Sequence, residues 1–174
     1  MNKDLKVDQI LRVNKKLKEV GIVPTYSFMG GFFNETYEDL KKTINLMLRL
    51  LDDYPEAFIS PIKIYTPFPN TLMIEDLPKK YFRSPETLRE WADYDYNTPH
   101  IIWHNKRKTK LLQKISYYTY FIDTKRLSFV FGKNILFKIG LKIYSLIARF
   151  RIRKDFYYLP FDFYLLKLFY SMRK

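Results

Sequence analysis

Two hydrophobic periods alternate through the first half of this chain, and each change of period marks an element. Over residues 3–20, Leu5, Ile10, Val13, Leu17 and Val20 recur near a 3.6-residue period with Lys and Asp between them, which predicts an amphipathic helix. Gly21 follows and suits a left-handed helix end. Ile22 to Met29 reads as a strand ended by Gly30 and Gly31. A second helix is predicted over 37–52, with Leu40, Ile44, Met47, Leu48 and Leu51 as its stripe. Thr36 and Asp39 have the spacing of a capping box at its start, and Asp52-Asp53-Tyr54-Pro55 stops it. Ala57 to Thr66 is an apolar, β-branched run of the kind found in a buried parallel strand. Strand, helix and strand with short connections predict one βαβ unit with a right-handed crossover.

The pattern changes after Thr71. Ser84-Pro85 predicts the start of a short helix to Ala92, and residues 93–104 read as irregular and aromatic. Three helical segments follow, at 107–122, 134–153 and 161–172. The expected fold class is α/β, with about one βαβ unit followed by a helical extension. A complete (β/α)8 barrel needs about 250 residues, so at most a C-terminal part of such a barrel is expected here. The expected division is 1–78 for the α/β part, 79–104 for an aromatic connection and 105–174 for the extension.

Charge sharpens that division. Residues 1–104 carry 14 Lys+Arg and 15 Asp+Glu, and residues 105–174 carry 17 and 3, so net charges of −1 and +14 give the total of +13. A basic, aromatic second part implies an anionic partner, and a membrane surface is one candidate. No nucleic-acid recognition motif accompanies the charge, so nucleic acid is not the expected partner. The chain has no cysteine, which excludes disulfides, thiolate zinc sites and cysteine-ligated iron–sulfur clusters within it and fits a reducing compartment. The N-terminus MNKDLKVDQILRV lacks the apolar core of a signal peptide, and no apolar run reaches membrane-spanning length. A cytoplasmic protein, in contact with a membrane surface at most, is expected.

The turn Gly30-Gly31-Phe32-Phe33-Asn34-Glu35-Thr36 lies between a strand end and a helix start, where α/β proteins bind ligands. Glycines admit close approach, helix-start amides donate, and Glu35 accepts from loop amides or from a ligand. A tight turn with Glu35 ordering its own loop is the competing reading. This turn and the later Thr66-Pro67-Phe68-Pro69-Asn70-Thr71 together resemble the "GFPGET-x-ED" and "P-[YF]-PGT" segments of the radical S-adenosylmethionine domain. The likeness is to the group that also carries a cobalamin-binding domain, and it covers residues 1–104. It implies part of a (β/α)6 barrel, S-adenosylmethionine as cofactor, and a 4Fe-4S cluster on a CxxxCxxC loop. By that resemblance Phe28 and Met29 offer apolar contact to adenine, Gly30, Gly31 and Glu35 shape the adenosine side, and Ile64 and Tyr65 offer backbone groups. Phe33, Asn34 and Asn70 depart from the Pro, Gly and Gly of the family pattern. Asn tolerates positive φ best among non-glycine residues, so both Gly→Asn departures can keep the turns. The cluster ligands and earlier strands are absent, so the resemblance implies a missing N-terminal half or a separate chain that supplies it. A truncated product without a role of its own is an alternative.

Other signals are weaker. His100 and His104 are spaced for one helix face but lack a supporting motif, and Glu90, Asp93 and Asp95 read as a solvated acidic turn. Over 134–153, Lys138, Lys142, Arg149 and Arg153 lie near one face beside a broad apolar face of Ile135, Ile139, Ile143, Leu146 and Phe150. That pattern suits a membrane interface, or packing on a missing domain.

Overall fold

The computed structural model describes residues 4–68, 71–75, 77, 79, 82–92, 105–125, 128 and 135–164. Its elements are α1 (Val7–Glu19), β1 (Thr25–Tyr26), β2 (Met29–Gly30), α2 (Tyr37–Asp53), β3 (Phe58–Ile59), β4 (Lys63–Ile64), α3 (Leu72–Glu75), α4 (Leu88–Trp91), α5 (Lys106–Ile122) and α6 (Ile135–Arg153). The fold is α/β. β1 pairs with β3 and β2 with β4, both parallel, so each predicted strand is present as two short pieces.

The break has a local cause. Amides of Phe58, Ser60, Lys63 and Tyr65 donate to the carbonyls of Pro24, Tyr26, Phe28 and Gly30 at 2.8 to 3.0 Å. Acceptors fall on every second residue, but one extra residue separates Ser60 from Lys63, at Pro61, which has no amide to give. This bulge sets which side chains face inward. A strand in unbroken alternation from Ile59 would turn Lys63 to the core. The inserted residue puts Ile62 and Ile64 there instead, both buried with Ile59, and leaves Lys63 exposed.

The helix ends follow local chemistry. Thr36 Oγ1 accepts from the Asp39 amide at 3.2 Å and Asp39 returns the bond to the Thr36 amide at 3.3 Å, as the capping-box spacing predicts. Gly21 has φ +71°, its amide bonds to Lys18 O and the Ile22 amide to Leu17 O. These two bonds form a Schellman end to α1. Ser84-Pro85 does not start α4. Thr87 caps it, accepting from the Glu90 amide at 3.3 Å while Glu90 accepts from the Glu86 and Thr87 amides. That occupies Glu90 as a cap. Asp93, Asp95, His100 and His104 lie outside the described residues, as does the predicted helix beyond residue 164.

α1 docks by a face that overlaps only part of the stripe its periodicity predicts: Ile10 and Leu17 are half-buried. Leu5, Val13 and Val20 are 64%, 50% and 67% exposed. The docked side carries Ile10, Leu11 and the fully buried Asn14. Asn14 Nδ2 donates to Leu50 O at 3.2 Å, and its Oδ1 accepts from Tyr26 Oη at 3.0 Å, so a polar residue fixes this helix to α2 and β1.

The second half joins the same core. Leu112, Ile115, Tyr118 and Ile122 of α5 and Ala148 and Ile152 of α6 cluster with Met47, Leu50, Leu51, Ile59 and Ile62. α5 also occupies the outer edge of the second strand. Thr119 Oγ1 accepts from the Ile62 amide at 3.0 Å, Ser116 Oγ donates to Ile62 O at 2.8 Å, and Asp123 Oδ2 accepts from the Ile59 amide at 2.9 Å. Side chains at 116, 119 and 123 form one stripe of a helix. They satisfy backbone groups that a neighbouring strand would otherwise take.

All three acidic residues of the basic segment 105–174 make internal bonds. Asp123 meets the strand. Asp155 accepts from Tyr37 Oη at 2.9 Å and pairs with Lys41 at 2.5 Å, both on α2. Asp162 takes Tyr118 Oη at 3.2 Å, Tyr144 Oη at 2.8 Å and the Arg151 guanidinium at 3.0 Å. Burial is the first cause raising the Tyr118 and Tyr144 hydroxyls, and contact with Asp162 adds to it.

Candidate functional site at the strand ends

Parallel pairing puts the C-terminal ends of both strands, and therefore both glycine- and proline-rich segments, on the same side of the unit. Phe32 of the first segment meets Tyr65, next to the second, with ring centroids 5.2 Å apart. The first stretch thus lies against the residue that leads into the second.

Gly30 is buried because α2 comes close: a Cβ there would lie 2.9 Å from Leu40 Cδ1 and 3.2 Å from Ile62 Cγ2. Gly31 has φ +84°, and a Cβ would lie 3.1 Å from Ile64 Cγ2. Both glycines therefore serve backbone approach to the protein's own side chains.

Glu35 orders the loop. Its Oε2 accepts from the Gly31 amide at 2.5 Å, and its amide closes a turn on Phe32 O at 3.1 Å. Lys108 of α5 donates to the Glu35 carbonyl at 2.7 Å, tying the extension to the loop. Burial raises the Glu35 carboxyl above the usual carboxylate range, and the Gly31 amide and Lys108 oppose that rise. The reading in which Glu35 orders its own turn is the one this geometry carries.

The remaining candidates divide by strand face. Tyr26, Phe28 and Gly30 alternate toward α2, so Phe28 packs on the core together with buried Ile64 and Tyr65. Thr25, Ser27 and Met29 point to the other face and are exposed, with Lys63 beside Met29 in register. Their backbone groups also point away from the second strand, since Tyr26, Phe28 and Gly30 make the ladder bonds. Among the described residues nothing pairs with the outer edge of the first strand along this stretch. Of the predicted contacts, Met29 is the one exposed on this face. Thr66, first residue of the second segment, is buried and its hydroxyl has no hydrogen-bond partner among the described residues.

These observations bear on the implied cofactors. The glycine cradle is filled by Leu40, Ile62 and Ile64, so no flat group stacks there. An iron–sulfur cluster finds no thiolate in the chain, and among the described residues no group of three His, Asp or Glu is placed to hold a metal. A groove of about 760 Å³ between α1 and α2 includes Arg12, Lys15 and Asp53 in its lining, at the far end of α2 from the loop. Lys18 and Arg49 there already contact Asp53, so the groove is separate from the strand ends. Sequence reading missed Lys108, which lies 73 residues from its partner and has no local signal. No family model, no curated protein and no solved structure matches the chain.

Proposed function

We propose that this chain is one part of a larger α/β protein of the radical S-adenosylmethionine type, corresponding to the C-terminal portion of its partial (β/α) barrel. It contributes the adenosine-side wall, with Met29 exposed toward the ligand and Glu35 holding the loop. The observation that carries the reading is the asymmetry of the sheet. α5 closes the outer edge of the second strand, whereas among the described residues nothing pairs with the outer edge of the first, and α1 leaves Val13 and Val20 exposed. Both features sit where a preceding strand and helix would pack in a parallel α/β fold. The cluster, and cobalamin where the family uses it, would be held by the part that completes the sheet.

The chain purified alone is expected to give no iron–sulfur absorbance after anaerobic reconstitution and no cleavage of S-adenosylmethionine. In an NMR titration with millimolar S-adenosylmethionine, amide signals at Met29 and at 64–66 are expected to move while those of α6 stay fixed. Cluster absorbance with cleavage would overturn the partial-barrel reading. Unmoved strand-end signals would overturn the adenosine wall.

A further inference from the structure

The outward side of α6 is apolar, which is the reverse of a helix on a water-facing surface. Leu141, Ser145, Ala148 and Ile152 are buried at helical spacing. Ile139, Ile143, Leu146 and Phe150 repeat that spacing two residues earlier, about 200° around the helix by its 3.6-residue turn. Ile143, Leu146 and Phe150 are 56%, 65% and 56% exposed. α6 contains no acidic residue, so nothing on it repels an anionic surface.

The cations of α6 divide into two sets. Arg149 donates to Ile122 O at 2.9 and 3.0 Å, Arg153 pairs with Asp52 at 2.6 Å, and Arg151 is spent on Asp162. These three fasten the helix to the protein. Lys138 and Lys142, one turn apart on the border of the apolar face, are exposed and make no ion pair among the described residues. Their long stems let the charge reach past an apolar boundary to headgroups.

We infer that the outward face of α6 is a membrane-interface site: the helix lies flat on a lipid surface with Ile139, Ile143, Leu146 and Phe150 in the acyl boundary and Lys138 and Lys142 on anionic headgroups. Among the described residues no helix is long and apolar enough to cross a membrane, so contact through α6 is in the plane of the surface. The +14 balance of residues 105–174 supplies the long-range attraction, since the three carboxylates there are bonded inward. This site is independent of the strand-end reading.

Sedimentation of the full chain with large unilamellar vesicles tests it, using phosphatidylcholine alone and phosphatidylcholine with phosphatidylserine. Binding is expected on the anionic vesicles and to weaken as salt rises. Neutralising both lysines (K138Q/K142Q) is expected to weaken it about 30-fold. Ile143→Ser with Leu146→Ser is expected to abolish it, with an unchanged melting temperature because both side chains point outward. Failure to sediment with either vesicle, binding that K138Q/K142Q leaves unchanged, or binding that survives Ile143→Ser with Leu146→Ser overturns the site. A stable dimer that Ile143→Ser dissociates, with no vesicle binding, overturns it in favour of a second copy.

Discussion

Asp123→Ala is expected to lower folding stability by about 3 kcal/mol, the combined scale of a lost charge-assisted hydrogen bond and an orphaned buried donor. The carboxylate is 1% exposed, accepts from the Ile59 amide at 2.9 Å and the Lys125 amide at 3.1 Å, and pairs with Lys125 Nζ. Truncation leaves the Ile59 amide without its acceptor. Lys125 keeps a partner in Pro55 O, so the loss centres on the strand edge. Asp123→Asn retains an acceptor and is expected to cost about a third as much. Thr119→Val is the companion change and strands the Ile62 amide for about 1 to 2 kcal/mol. Urea denaturation measures all three. A midpoint shift for Asp123→Ala within the range of an ordinary surface substitution, about 0.5 kcal/mol, would mean that α5 does not close the sheet.

Arg151→Ala is expected to cost about 3 kcal/mol or more, the scale for removing one partner of a buried ion pair. Its side chain is 12% exposed. The guanidinium pairs with Asp162, donates to Phe156 O, Tyr158 O and Leu159 O at 3.1 to 3.2 Å, and stacks over Tyr118 and Phe156. It holds a segment in which Asp155 and Leu159 take φ of +52° and +50°, a backbone region that non-glycine residues seldom adopt. Arg151→Lys is expected to recover little, because a single ammonium cannot span three carbonyls and a carboxylate as a planar fork does. The expected readouts are a lowered urea midpoint and rapid proteolysis between 154 and 164. A variant with wild-type stability and an intact 154–164 segment would contradict this anchoring role.

Both residues show what local pattern does and does not encode. The periodicity of Leu40, Ile44, Met47, Leu48 and Leu51 placed α2 to within a residue, and α5 and α6 lie close to their predicted spans. The Thr36–Asp39 cap, the Gly21 turn and parallel strands joined through one helix were likewise readable, because each follows from residues near in sequence. Which helix face docks was readable only in part, since of the predicted α1 stripe Ile10 and Leu17 are half-buried. In α1, Asn14 is buried and Val13 and Val20 are exposed, since its bonds to Leu50 and Tyr26 outweigh the apolar stripe. The basic stripe of 134–153 likewise mixes two functions: Arg149 and Arg153 bind the protein, and only Lys138 and Lys142 remain outward.

The turn was legible as a close approach of backbone, and the groups that approach it were not. Gly30 and Gly31 signalled close approach correctly, but the approaching groups are Leu40, Ile62 and Ile64. Glu35 was legible as a loop acceptor. That Lys108 and Leu112 of α5 reach this loop depends on contacts across more than 70 residues, which no window of sequence contains.

Hydrogen exchange of individual amides in the isolated chain decides whether one sheet edge is closed and the other open. Amides of Ile59 and Ile62, bonded to Asp123 and Thr119, are expected to exchange with the slow core. Amides of Thr25, Ser27 and Met29, directed away from the second strand, are expected to exchange orders of magnitude faster. Comparable protection on both edges, or fast exchange at Ile59 and Ile62, would contradict the asymmetry on which the partial-barrel reading rests.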